Sequence, residues 1–438
     1  MKGKKIKIGM IGLGTVGAGV WEILHRHRDL LFHRVGARLE VVKVAVRSEG
    51  KRRPVRVPSG VLTSRVDRIL SDPEIQIVVE LMGGVRPARD IVRRALAAGK
   101  HVVTANKALL ALHGAELFAA ARRAQVDICF EASVCGGIPV LRALREGFVG
   151  NRIESLFGIV NGTCNYILTE MAERGAAFSD VLKRAQDLGY AEADPGFDVD
   201  GVDAAHKLAI LLAIAHGVSV DAKKIYVEGI RNLSPLDFQF ARRFGYEIRL
   251  LAIAKADGGS VQARVHPTMI PSASMLAAVR GVYNAVLIQG DFVGEGMLYG
   301  RGAGSGPTAS SVVGDIVEVA RNVLARVAYT VPPLGIHDAK VPKARIAPIG
   351  ELRTPYYLRF QALDRPGVLA RIASILSRHR ISISSVYQHG QESGKEVSIV
   401  VLTHAAVERE IRRAIRRIDR LPDVRKKTTL IRVEETFK

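Results

Sequence analysis

Residues 6–17 read IKIGMIGLGTVG, and the fold turns on how the last six are taken. GLGTVG has the form G-x-G-x-x-G, which is weak on its own because a plain glycine turn also satisfies it. Here a short apolar strand (6–12) precedes it, and a helical pattern from about Thr15 to Leu30 follows, at the head of a βαβ unit. In that setting each glycine has a task. Gly12 permits the tight turn, Gly14 lets a pyrophosphate approach the backbone, and Gly17 allows close helix packing. Leu13 completes the turn, and the amides of Thr15 and Val16 fall at the positive end of the helix, where anions bind.

Reading outward, LEVVKVAV (39–46), IQIVVELM (75–82), KHVVTA (100–105) and DICFEA (127–132) are further strands, separated by helical patterns such as ARDIVRRALAAG. Strands that are nearly unbroken apolar runs, alternating with helices, imply a parallel sheet covered on both faces. The expectation is an α/β chain that opens with a Rossmann-type doubly wound domain over 1–140. From about 151 the strands RIESLFGIV, EIRLLAIAKA, SVQARVHPTMI, YNAVLIQG and FVGEGMLYG are joined by shorter turns, which suggests an α+β substrate-binding and dimerisation domain over 141–328. A helix near 308–326 is expected to return to the first domain. Clustered prolines mark 329–352 as a linker. Residues 353–438 then alternate as strand, helix, strand, strand, helix, strand, a ferredoxin-like unit. In its second helix Val407, Ile411, Ile415 and Ile418 form an apolar stripe and the arginines take the wet face.

Composition narrows the function. Apolar residues make up 48% of 438, so the chain is not disordered. No apolar stretch reaches the eighteen or so residues of a membrane span. The opening lysines and apolar run resemble a signal peptide, but the glycines at turn spacing favour a strand and loop. Three cysteines without metal-like spacing point to a reduced, cytoplasmic setting. The net charge of +21 raises the question of nucleic acid, yet no aromatic-interleaved basic ribbon or basic tail accompanies it. Attraction of anionic cofactors is the better reading.

The end of the second strand bears on that cofactor. A carboxylate there holds the ribose hydroxyls of NAD; this chain has Arg47, followed by Lys51, Arg52 and Arg53, which suits the 2′-phosphate of NADP. A basic surface loop is the alternative. In HVVTANKALL (101–110), Thr104, Asn106 and Lys107 lie just past the carboxyl end of a sheet strand, where open α/β sheets bind ligands. Lys107 can hold a carboxylate or polarise a carbonyl, or be only a helix-start lysine in water. AEADPGFDVDGVDAAHK (191–207) crowds Glu192, Asp194, Asp198, Asp200 and Asp203 before Lys207, at the mouth of the apolar run LAILLAI. On a helix Asp203 and Lys207 share a face. Most such pairs are exposed and weak, but burial makes a lysine a usable proton donor. Glu192 can then receive an ammonium group. EASVCGGIPVL (131–141), one carboxylate in a backbone-rich loop, is either a monovalent cation site or a structural turn. NGTCN (161–165) sets small hydroxyl and amide groups after a strand, and Cys164 there has no local histidine to activate it.

Taken together, GLGTVG, HVVTANKALL, EASVCGGIPVL, GIVNGTCNYIL, LGYAEADPGFDVDGVDAAHKLAIL and RGAGSGPTASSVVGD, in this order, resemble homoserine dehydrogenase over nearly the whole chain. LDRPGVLARIASIL and ISISSVYQHG resemble an ACT domain, a module that in the longer bacterial members binds an amino-acid effector, typically threonine. The resemblance implies reduction of L-aspartate 4-semialdehyde to L-homoserine with NAD(P)H, NADP(H) being preferred, on the route to threonine, methionine and isoleucine. It puts the proton donor on Lys207, its active-site partner on Lys107 and the donor's support on Asp203. Substrate contacts fall on Glu192, Asp198, Thr163 and Lys107. The cofactor falls on the 12–17 turn, Arg47, Thr104, Lys107 and Gly304, and a sodium ion on Glu131, Val134, Gly136 and Ile138. Cys164 stands where the family usually has threonine or serine, and Cys135 where a small residue is usual. The partners implied are the small substrate, an amino-acid effector and a second copy of the chain, as a homodimer or homotetramer, without nucleic acid or membrane. Two rivals differ in chemistry: a semialdehyde dehydrogenase working through a cysteine thioester, and a catalytically silent amino-acid sensor. Deleting residues 351–438 is expected to leave catalysis but remove threonine inhibition.

Overall fold

The computed structural model describes residues 4–257, 259–337, 341–389 and 396–437. It divides into two compact units that interleave along the chain. The first holds Met1–Glu154, His206–Lys223 and Tyr283–Ala344; the second holds Ser155–Ala205, Lys224–Val282 and Arg345–Lys438. The consecutive segmentation expected from sequence, 1–140, 141–328, 329–352 and 353–438, differs from this because segments distant in sequence pack together. Of the expected linker, residues 338–340 lie outside the described residues.

The first unit is built on six parallel strands: β1 (Lys5–Ile11), β2 (Arg38–Ala45), β3 (Leu62–Thr63), β4 (Ile75–Glu80), β5 (His101–Thr104) and β6 (Ile128–Cys129). Their order is β3-β2-β1-β4-β5-β6. The order reverses between β1 and β4, which opens a crevice beyond the carboxyl ends of those strands. Ile8, Met10, Ile77, Val79 and Val103 are buried on one face with the helices Thr15–Arg26 and Ser305–Ala325. The expected helix from Thr15 to Leu30 is two helices. His27, at φ −102° and ψ 22°, ends Thr15–Arg26, and Arg28–Val35 begins beyond it. Strand β3 went unforeseen because two residues carry no periodicity.

In the second unit, β7 (Ile153–Ile159), β8 (Tyr226–Val227), β9 (Tyr246–Asp257) and β10 (Ser260–Pro271) come first in the chain. The hairpin β11 (Tyr283–Gly290) and β12 (Gly294–Arg301) belongs to the first unit. The C-terminal part of the second unit adds β13 (Arg353–Thr354), β14 (Tyr356–Leu363), β15 (Ile383–His389), β16 (Glu396–Thr403), β17 (Ala406–Val407) and β18 (Thr429–Val433). The helices Val368–Arg378 and Glu408–Ile418 cover one face of that part, around Phe360, Ile372, Ile399 and Ile411.

The C-terminal unit is not a separable bead. Strand β18 lies between β10, to which it runs parallel, and β14, to which it runs antiparallel, so one sheet runs β7-β9-β10-β18-β14-β16-β15. Ion pairs fix this seam. Glu408, fully buried, accepts bidentate hydrogen bonds from Arg432 of β18 (2.9 and 2.6 Å), one from Arg412 Nε (2.7 Å) and one from Tyr356 (2.9 Å). Burial pushes the Glu408 carboxyl up, but Arg432 and the hydrogen bonds hold it below its ordinary range. Glu434 pairs with Arg264 of β10 and with Lys255 of β9. Asp237, also fully buried, caps Ser234 and accepts from Arg359 and Tyr357 of β14. Removing residues 351–438 therefore strips partners from Asp237, Arg264 and Lys255. Nor is every arginine of the Glu408–Ile418 helix on a wet face, since Arg412 joins this network beside Tyr226.

Losing Arg432 leaves buried Glu408 with Arg412 and Tyr356 alone, so Arg432→Met is expected to cost up to about 3 kcal/mol of stability. Urea unfolding monitored by circular dichroism reads this directly.

Candidate functional site

At the carboxyl end of β1 the glycine turn has the geometry its sequence requires. Gly12 sits at φ 103°, and a Cβ there would lie 2.6 Å from the Leu81 carbonyl oxygen. A Cβ on Gly17 would lie 2.4 Å from the Gly12 oxygen, so the helix packs directly on the turn. Gly14 caps the Thr15–Arg26 helix and faces open space. Together with Leu13 and Thr15 it lines a cleft of about 800 Å³ that extends to Arg47, Lys51 and Arg52. Arg53 is spent inward, donating to the carbonyls of Ser48, Glu49 (2.8 Å) and Lys51 (2.7 Å), and so staples the basic loop. Arg47 is exposed on the lining, and among the described residues its guanidinium makes no hydrogen bond or ion pair. The residues fit a nicotinamide dinucleotide. Its pyrophosphate would be held by the turn amides.

Sequence reasoning missed Glu80, the last residue of β4 and fully buried. One carboxylate oxygen accepts from the amides of Met82 (2.9 Å) and Gly83 (3.3 Å), the other from the Thr104 hydroxyl (2.7 Å). Thr104 in turn accepts the Asn106 amide, and Asn106 caps the Lys107–Ala124 helix through Leu109 while donating to the Gly84 carbonyl (2.7 Å). Thr104 is itself fully buried and braces the turn. Lys107 is thereby set as the first residue of its helix, at the carboxyl ends of β4 and β5.

The loop after β6 folds back on the RGAGSG turn, where Gly304 (φ 113°) caps the Ser305–Ala325 helix and Ser305 donates to the Thr15 carbonyl (2.8 Å). A Cβ on Gly136 would meet the Gly302 oxygen at 2.5 Å. Glu131 is buried, and both of its carboxylate oxygens accept backbone amides, from Leu141 and Arg142 (2.8 Å each). Burial pushes its carboxyl up while those amides oppose the shift. The Ile138 carbonyl takes the Val140 amide (2.8 Å), whereas those of Val134 and Gly136 accept no hydrogen bond among the described residues. Carbonyl oxygens suit a hard cation, but both oxygens of Glu131 are already taken by amides. Nearby, Asp127, Cys129 and Glu318 bring ligand atoms within 4.8 Å of one another, but Glu318 already pairs with Arg142 and Arg145.

In the second unit the organiser is Asn161, which sequence reading took only as a small amide after a strand. Its side-chain oxygen caps the Gly162–Arg174 helix, accepting the Cys164 amide (2.8 Å), and its NH₂ donates to both Asp198 and Asp203 (2.8 Å each). An N-cap asparagine was the available signal. Thr163 donates to the Tyr190 carbonyl (2.6 Å) and lies 3.4 Å from Asp198. Of the remaining acids, Asp200 pairs with Arg231 (2.5 and 3.0 Å), Asp194 accepts the Gly196 amide, and Glu192 is exposed. Asp203 and Lys207 stand four apart on the Val202–His216 helix, both buried, at 1% and 8% exposure. Cys164 is buried, and its thiol donates to the Asp198 carbonyl (3.2 Å).

A Rossmann sheet whose glycine turn opens on a cationic cleft, with a buried lysine and carboxylates elsewhere in the chain, defines an NAD(P)-dependent oxidoreductase. Family models match as homoserine dehydrogenase NAD-binding domain over 12–131, homoserine dehydrogenase over 139–317 and ACT domain over 356–420. The chain belongs to the homoserine dehydrogenase family. It is 45% identical to the homoserine dehydrogenase of Neisseria gonorrhoeae, covering 98% of this chain and 99% of that one. To that of Pseudomonas aeruginosa it is 46% identical, with 99% of each covered. The crystal structure of a homoserine dehydrogenase from Thiobacillus denitrificans matches with a TM-score of 0.91 at 47% identity over 99% of both chains. No helix among the described residues is long and apolar enough to cross a membrane.

Burial, with the Glu318 charge, pushes the Asp127 carboxyl up to about 6. An acid raised in the folded state stabilises at low pH and loses that contribution as pH rises from about 4 through about 6. Asp127→Asn should therefore match the wild type near pH 4 and exceed it above pH 7, by on the order of 1–3 kcal/mol. Thermal melts across that range check the sign.

Proposed function

We propose that the chain reduces L-aspartate 4-semialdehyde to L-homoserine, with NADPH preferred over NADH, on the route to threonine, methionine and isoleucine. The observation that carries the reading is the buried Asp203–Lys207 spacing on one helix, with Asp203 held by Asn161. The bound nicotinamide supplies the hydride. Lys207 places an ammonium where negative charge develops on the aldehyde oxygen and delivers the proton that makes the alcohol. Asp203 orients and charges that lysine. Lys107 holds the substrate carboxylate or assists at the carbonyl. Asp198 and Glu192, with Thr163, accept the substrate ammonium. Gly304 would close on the cofactor, and Arg47 would pair with its 2′-phosphate. A hyperthermophilic archaeal homoserine dehydrogenase, 28% identical over 72% of this chain, is described in complex with NADPH, which supports that choice.

A sodium ion would be held by the carbonyls of Val134, Gly136 and Ile138 beside Glu131, and would order that loop. The ACT domain takes an amino-acid effector, threonine, and the working form is a homodimer or homotetramer in the cytoplasm. Buried Cys164, donating to a carbonyl, does not suit the thioester route.

Loss of NADPH absorbance with aspartate 4-semialdehyde tests the reaction. Lys207→Ala should reduce kcat by about 100-fold or more with folding intact; turnover that survives moves the donor role elsewhere. Arg47→Asp should raise the KM for NADPH at least about tenfold while leaving NADH nearly unchanged. Equal losses would mean that Arg47 does not read the phosphate.

A further inference from the structure

A second cavity, of about 230 Å³, lies in the first unit and shares no lining residue with the glycine cleft. Leu110, Gly114 and Phe118 of the Lys107–Ala124 helix line it, with Ala209, Ile210 and Ala213 of the Val202–His216 helix. Leu110, Phe118, Ala209 and Ile210 are all buried. Among the described residues of the lining Arg122 alone is charged, one turn beyond Phe118 on the same ridge. It is half-buried, and its guanidinium makes no hydrogen bond or ion pair among the described residues.

A void of about 150 Å³ with apolar walls takes one benzene ring. This one has room for a ring and a short arm. An apolar body recovers the dispersion contacts that the empty walls lack, and a carboxylate at the lip meets Arg122, the one charged side chain among the described lining residues, in the geometry a guanidinium binds best. A neutral ligand would leave Arg122 unanswered, and a second cation would be repelled.

We propose that this cavity is a binding site for a small arylalkanoate-type monocarboxylate, its ring between the two helices and its carboxylate on Arg122. The position gives the site leverage. One of the helices begins at Lys107, and the other carries Lys207 just before Ala209. An occupant packs one turn or so beyond each lysine. The binding claim stands apart from the reaction assigned above, because binding is read without turnover.

The test is isothermal titration calorimetry of the full chain with 3-phenylpropanoate, and with 3-phenylpropanamide as the neutral control. Saturable one-to-one binding is expected, weakened about tenfold or more by Arg122→Gln and by the amide control, and lost in Ala213→Phe, which fills the void. Should Ala213→Phe fail to fold, Arg122→Gln decides. Absence of saturable binding in the millimolar range, or binding indifferent to Arg122→Gln, overturns the proposal. So does a change of oligomeric mass in Ala213→Phe without probe binding, which would mean that a neighbouring copy fills the cavity.

Discussion

Two ionised carboxylates repel when one is buried and the other only half-exposed beside it, unless something positive or donating stands between them. In the second unit that something is one side-chain amide. Asn161 spends its oxygen on the start of a helix and both of its N–H groups on Asp198 and Asp203. The position of the helix start and the spacing of the two acids both pass through it. A neutral donor has a further merit here. It holds both acids without placing a formal charge between them.

The same economy recurs at the glycine turn. Glu80 fixes the backbone after β4 and the hydroxyl of Thr104, and Thr104 fixes Asn106, so a single buried carboxylate sets the rim on which Lys107 begins its helix. Arg53 likewise ties the basic loop to its own carbonyls, which leaves Arg47 disposed along the cleft. In each case a charged or polar residue that touches no ligand holds the shape in which others can.

What was legible in the sequence was what is local. The glycine spacing, the apolar strands and the alternation of strand and helix read out the parallel sheet, because each depends on neighbours within a few residues. The i, i+4 spacing of Asp203 and Lys207 was visible for the same reason. Glu80 and Asn161 escaped because their partners lie 24 to 42 residues away, and nothing in a strand-end glutamate or an N-cap asparagine names a distant acceptor. The break at His27 was hidden by a helical pattern that continues on both sides of it. The seam at β18 was hidden more deeply. Its composition is that of any edge strand, and only its pairing with β10 on one side and β14 on the other reveals that both of its sides are occupied.

That seam bears on how the molecule is made. During synthesis β10 emerges long before β18; β8 covers its far edge at Arg264 and Val265, but until β18 arrives the stretch at Thr268 and Met269 offers unpaired amides and carbonyls to whatever strand is near. Arg264 waits as an unmatched charge on that strand over the same interval. The sheet therefore closes late, on a segment from the last residues of the chain, and a ribosome that stalls or falls off before residue 429 leaves an open β-edge with aggregation as its default outcome. Chaperone dependence is the first trait that such a truncated product would acquire.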